Sequence, residues 1–164
     1  YGVGVTYVTS AGDTSVTVGA GYSSADITNT TATKNEAVGH MGISATTGNL
    51  TIGAGYASGD YHDGAAGAAT QVDATITEAG ATYVSGDLTF NVGVVASEGQ
   101  DEALGTAGTS VKDKYEETSA SVSYALASGV TAIVGWTAQE SQTEGTKEDT
   151  ESGSSWYVGA NLSF

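Results

Sequence analysis

The sequence predicts an all-β protein, an antiparallel up-and-down sheet of about nine strands closed as a barrel across a membrane. Three observations lead there. Apolar residues alternate with small or polar ones along most of the chain, the period-two signature of strands whose faces meet different surroundings. Tight turns and long polar stretches succeed one another, which gathers short connections at one sheet edge and long ones at the other. The composition is also too poor in bulky side chains to fill a second layer. Of 164 residues 39% are apolar and 24 are Gly; two are Phe, none is Pro or Cys, and the mean hydropathy is −0.09.

The elements follow in order. Tyr1, Val3, Val5 and Tyr7 share a face of the first strand. Four rising segments, 16–22, 50–56, 88–94 and 130–136, each open on an aliphatic residue followed by Thr. Their starts lie 34, 38 and 42 residues apart, a growing spacing unlike a fixed-period solenoid. Each follows a tight turn, at 11–13, 47–49, 85–87 and 127–129, where Gly, Asn and Asp are expected to supply the positive φ of short hairpins. The returning strands alternate through Ala37, Gly39, Met41, Ile43 and Ala45, and through Thr118, Ala120, Val122, Tyr124 and Leu126. Ala79, Ala81 and Tyr83 do so less cleanly, so 73–84 is the weakest segment and an eight- or ten-stranded small barrel is the alternative count. The last strand is the plainest, with Trp156, Val158, Ala160, Leu162 and Phe164 on one face. Strand lengths of roughly 9–11 residues suit a tilted bilayer crossing. Short turns on one side and long loops on the other belong to outer-membrane barrels.

The two faces then take different roles. On the apolar face the aromatics sort into two levels, as interfacial girdles should. Tyr7, Tyr83, Phe90, Tyr124 and Phe164 lie near the turn edge; Tyr1, Tyr22, Tyr56, Trp136 and Trp156 lie toward the loops. The opposite face is rich in Thr, Ser, Gly and Asn, and its candidate lumen residues are Thr17, His40, Thr51, Thr89, Asn91, Ser121, Thr131 and Asn161. Charge is nearly absent from strand centres. The acids are expected in the long loops: Asp60, Asp63, Glu98, Asp101, Glu102, Asp113, Glu116, Glu117, Glu140, Glu144, Glu148, Asp149 and Glu151.

The last eight residues, Tyr157-Val158-Gly159-Ala160-Asn161-Leu162-Ser163-Phe164, resemble the C-terminal assembly signal of bacterial outer-membrane proteins. That signal runs polar or aromatic, any, Gly, any, any, apolar, any, terminal aromatic. With its Gly-rich strands, acidic loops and lack of Cys, the whole chain resembles the general diffusion porins of alphaproteobacteria. The resemblance implies a 16-stranded homotrimeric barrel in the outer membrane that passes small hydrophilic solutes passively. It also implies contact with outer-membrane lipid and lipopolysaccharide. Tyr157, Gly159, Leu162 and Phe164 would be read by the barrel assembly machinery. On this resemblance, residues 1–164 are expected to be the C-terminal portion of a single porin-like domain, with Tyr1 opening the eighth of sixteen strands. The family's inward-folded constriction loop and eyelet arginines have no counterpart here, so no constriction residues are assigned.

Other functions find little support. Nineteen Asp and Glu against four Lys give a formal charge of −15 and a pI near 4.1, which disfavours nucleic acid as a partner. Gly19/Gly21 and Gly53/Gly55 lack the third glycine and the following helix of a dinucleotide loop. Neither His stands beside a nucleophile with an orienting acid, so no catalytic residue is expected. No cofactor is expected, with Ca²⁺ at Glu98, Asp101 and Glu102 a weak candidate and Asp60-Tyr61-His62-Asp63 a weaker metal site. Two function classes remain: a water-filled, cation-preferring channel, and a structural or adhesive surface β-protein, a surface-layer or fibre subunit without channel activity.

Overall fold

In the computed structural model, residues 1–28, 33–62, 71–102, 113–143 and 149–163 are described. For 26–28, 33–36, 60–62, 71–73, 100–102, 143 and 149 the backbone alone is described. Among the described residues nine strands run in chain order: β1 (Gly2–Ala11), β2 (Thr14–Thr28), β3 (Thr33–Thr47), β4 (Leu50–His62), β5 (Gln71–Ser85), β6 (Leu88–Glu102), β7 (Asp113–Ala127), β8 (Val130–Thr143) and β9 (Asp149–Leu162). They form one antiparallel sheet in which every strand pairs with its sequence neighbours. β1 and β9 do not meet.

The sheet is a single layer. No described side chain is fully buried, while Val5, Met41, Ile52, Val92 and Val158 are all exposed on one face. In water such a face would be unstable. Against lipid it is the expected solution, because the sheet ladders satisfy the backbone and the outer face needs only apolar side chains. On β6 the outward run Leu88, Phe90, Val92, Val94 and Ala96 covers about 27 Å of strand at ~3.4 Å per residue. A tilt of ~40° brings that to about 20 Å of bilayer.

Each short turn holds two residues, and Gly12, Gly48, Gly86 and Gly129 take φ of 61°, 54°, 58° and 76°. Asp13, Asn49 and Asp87 do not, since no described non-glycine residue has positive φ. The expectation that Asn and Asp share this task is therefore corrected. With no Cβ, Gly alone enters the left-handed region without penalty. The register steps along the turn edge. Thr14, Thr47, Leu50 and Tyr83 share one row, whereas the next hairpin closes two residues further on, at Ser85 and Leu88. Such stagger accompanies tilted strands. Between Ala125 and Ala127 the β7–β8 register shifts, leaving Leu126 outside the ladder as the extra residue of a bulge.

Two further expectations need correction. Most strands are longer than the 9–11 residues a crossing requires: β2 to β9 have 13–15. The excess lies on the long-connection side, where antiparallel pairing continues through polar sequence because backbone hydrogen bonds need no apolar face. For the same reason Asp60, Glu98, Asp101, Glu102, Asp113, Glu116, Glu117, Glu140, Asp149 and Glu151 lie within strands rather than loops.

Candidate functional site

Directly opposed residues of an antiparallel pair project to the same face. The register therefore assigns every side chain of the wall. One row crosses all nine strands through Ser10, Ser15, Thr46, Thr51, Thr82, Asn91, Ser121, Gly135 and Tyr157. It is polar or small from β1 to β8. Thr46 and Thr51 share a hydrogen bond of 2.9 Å; Thr82 donates to Asn91 Oδ1 at 2.8 Å; Asn91 Nδ2 donates to Ser121 Oγ at 3.3 Å. These bonds tie neighbouring staves together while leaving spare donors and acceptors for water.

The next row runs Thr17, Ser44, Gly53, Gly80, Gly93, Ser119, Thr137 and Ser155, with a 3.0 Å hydrogen bond between the last two hydroxyls. Beyond it lies Thr6, Gly19, Gly42, Gly55, Glu78, Val95, Glu117, Gln139 and Gly153. A further row brings Gly4, Gly21, His40, Ala57, Ile76, Ser97, Tyr115, Ser141 and Glu151 together. Glycine is thus concentrated on this inner face over β1–β6, where missing side chains leave the wall thin. Longer neighbours fold into the gaps. A Cβ on Gly21 would stand 2.5 Å from the His40 ring, and one on Gly55 2.7 Å from Glu78 Oε1. Tyr115 donates a 2.6 Å hydrogen bond to Glu117 Oε2 across two residues of β7. A concavity of about 1010 Å³ spans β1–β7, lined among others by Thr17, His40, Thr51, Glu78, Asn91 and Ser119.

All eight candidate lumen residues lie on this one inner face. Thr17 opposes Ser44, His40 opposes Gly21, Thr51 opposes Thr82, Thr89 opposes Ser123, Asn91 opposes Ser121, and Thr131 opposes Asn161. The sequence reading missed the inner carboxylates. Glu78 escaped notice because Ile76 and Val84 share its face and blur the alternation of β5. Glu117 was grouped with loop acids although it lies between Thr118 and Glu116 of the outer face. In both cases the signal was parity with a neighbouring inner residue, Thr82 for Glu78 and Ser121 for Glu117.

The aromatic candidates Tyr7, Tyr22, Tyr56, Tyr83, Phe90, Tyr124, Trp136 and Trp156 occupy the outer face, opposing Val18, Val3, Met41, Leu50, Val122, Ala132, Ala120 and one another. Three pairs approach closely across strands. Ring centroids are 6.3 Å apart for Tyr1 and Tyr22, 6.5 Å for Tyr83 and Phe90, and 6.4 Å for Trp136 and Trp156. Of the assembly-signal candidates, Tyr157 and Gly159 are inward on β9 and Leu162 outward at its end; Phe164 lies outside the described residues. Glu98 is on the outer face of β6 between Thr75 and Lys114. The side chains of Asp60, Tyr61, His62, Asp101 and Glu102, and all of Asp63, Glu144 and Glu148, lie outside the described part. Among the described residues no three His, Asp or Glu side chains gather into a group that could hold a metal.

A curved single-layer wall with an apolar outer face and a hydroxyl- and glycine-rich inner face defines an outer-membrane β-barrel. The chain belongs to the Gram-negative porin family, whose profile matches residues 1–146. No curated protein sequence matches it. Among solved structures it overlays on outer-membrane expressed OmpT of Vibrio cholerae with a TM-score of 0.62 at 14% identity, covering 98% of this chain. The in-vitro folded trimer form of that OmpT gives a TM-score of 0.60 at 14% identity and 96% coverage. The chain spans 55% and 54% of the length of those two structures. It is a bacterial outer-membrane protein.

Proposed function

We propose that the chain supplies nine staves, the C-terminal portion, of a larger water-filled porin barrel for passive diffusion of small hydrophilic solutes. The observation that supports this most is the continuous polar row from Ser10 to Ser121 on the concave face, back to back with an apolar outer face. Hydroxyls and amides on that face replace part of a solute's hydration shell without holding it, as transit requires. The formal charge of −15 raises local cation concentration at the wall and disfavours anions. No catalytic step and no cofactor enter this reading.

The short turns then face the periplasm and the long connections the exterior. The outer-face aromatics seat the wall in lipid and lipopolysaccharide, and the C-terminal residues present the assembly signal. The open edges β1 and β9 are completed by further staves, and barrels associate as trimers. The test is reconstitution, in a planar bilayer, of protein extracted from its outer membrane in detergent. Stepwise conductance with K⁺ favoured over Cl⁻, the preference fading as salt rises, is the expected result. Solubility as a compact monomer in plain buffer contradicts the channel and supports a structural or adhesive surface protein.

A further inference from the structure

We propose that Glu78, reinforced by Glu117 in the same register row, sets the charge preference of the lumen; this rests on the channel reading above. Most acids of this chain lie near the long connections, but Glu78 stands on the wall itself. Its β5 neighbours Thr77 and Ala79 point outward, and it opposes Gly55 on one side and Val95 on the other. Because Gly55 has no side chain, the carboxylate reaches across β4. Its Cγ and Oε1 would lie 3.0 and 2.7 Å from a Cβ placed there. The next residue along is Gly42, again without a side chain. The charge therefore projects over an empty stretch of wall within the bilayer span, where permeating ions must pass.

Glu117 lies one strand beyond Val95 and is held by the Tyr115 hydroxyl at 2.6 Å. Two strand spacings separate the backbones of the carboxylate residues by about 9.6 Å. That is too far for their strand positions alone to define chelation of one bare cation, whose oxygens bind at roughly 2.4 Å. It is within the ~10 Å Debye length at 0.1 M salt, so a passing hydrated cation experiences both charges. Gln139 follows in the row, which carries no cationic side chain. The row acts through its field on hydrated cations in transit and needs no held ion.

Reversal potentials across a KCl gradient near 0.1 M test this, using protein extracted from the outer membrane. Glu78→Gln, which keeps the side-chain shape, lowers the K⁺/Cl⁻ permeability ratio about twofold or more, as expected for removing a unit charge from the lumen wall under screening. Asp13→Asn, the same charge change at the turn edge, leaves the ratio within error. Residues 1–164 hold no Cys, and in a background cleared of any other cysteine Glu78→Cys gives a single thiol at this position. A cationic methanethiosulfonate lowers the ratio further there, and an anionic one restores it. Normal channels with an unchanged ratio in Glu78→Gln, or equal effects of the two reagents, overturn the assignment to Glu78 and leave the channel reading intact. Absence of any channel in the unsubstituted protein overturns both.

Discussion

The side chain of Tyr157 in β9 lies over Gly135, its register partner in β8. A methyl group on Gly135 would collide with the phenol ring, and the glycine is buried beneath it although most of this wall is open. An aromatic folded over a cross-strand glycine covers exposed backbone and fixes which residues oppose each other. A slip of one residue would turn the apolar face of the strand inward.

Gly135→Ala therefore displaces the ring and destabilises the barrel by about 1–3 kcal/mol. Tyr157→Ala uncovers the glycine and is also destabilising, and the two changes combine non-additively because they disrupt one contact. Gly153→Ala, at a position where an added Cβ meets nothing within 4 Å, is expected to cost less. Urea unfolding in detergent micelles, followed by tryptophan fluorescence, separates these cases.

The turns offer a second comparison. At Gly86, φ is 58° and nothing lies within 4 Å of an added Cβ, so Gly86→Ala carries only the left-handed conformational cost, about 1–2 kcal/mol. At Gly129 the same substitution meets the Ser163 carbonyl oxygen as well, and Ser163 is tied to this turn because its N–H donates to Gly129 O at 2.8 Å. Gly129→Ala is the more destabilising of the pair. Equal midpoints in denaturant would contradict this ordering.

The outer and inner faces of β6 respond differently to charge. Val92 points outward and is 56% exposed. Val92→Lys places an ammonium against lipid and costs about 2–4 kcal/mol at mid-bilayer depth. Asn91 points inward between Thr82 and Ser121. Asn91→Asp keeps the shape of the side chain, leaves folding within about 1 kcal/mol because the wall is wet, and increases cation preference. Unfolding free energy in liposomes and reversal potential measure the two effects; equal stability losses at both positions would contradict the facing.

Much of this was legible because period two is a local property. Thr17, Asn91 and Asn161 could be assigned to one face by counting from neighbouring apolar residues, and Gly12, Gly48 and Gly86 marked their hairpins. What escaped depends on pairing between strands. Ile76 and Val84 face inward because their partners Ala57 and Thr89 do, so β5 reads poorly by hydropathy alone. Strand ends past the bilayer are held by backbone bonds, which leave no apolar trace, and the acids there read as loop. The bulge at Leu126 likewise follows from the β7–β8 register and not from any residue type. Glu78 lying over Gly55 needs both strands in place before it can be noticed.

One face of this sheet should meet lipid and the other water. Single cysteines placed in turn at positions 89 to 95 of β6, in otherwise cysteine-free protein reconstituted into liposomes, report the facing of each residue; residues 1–164 hold no Cys to remove. Positions 89, 91, 93 and 95 should react with a membrane-impermeant charged thiol reagent, while labels at 90, 92 and 94 should be quenched from the lipid phase. Uniform reactivity along the strand, or alternation of the opposite phase, would contradict a wall with lipid on one side and water on the other.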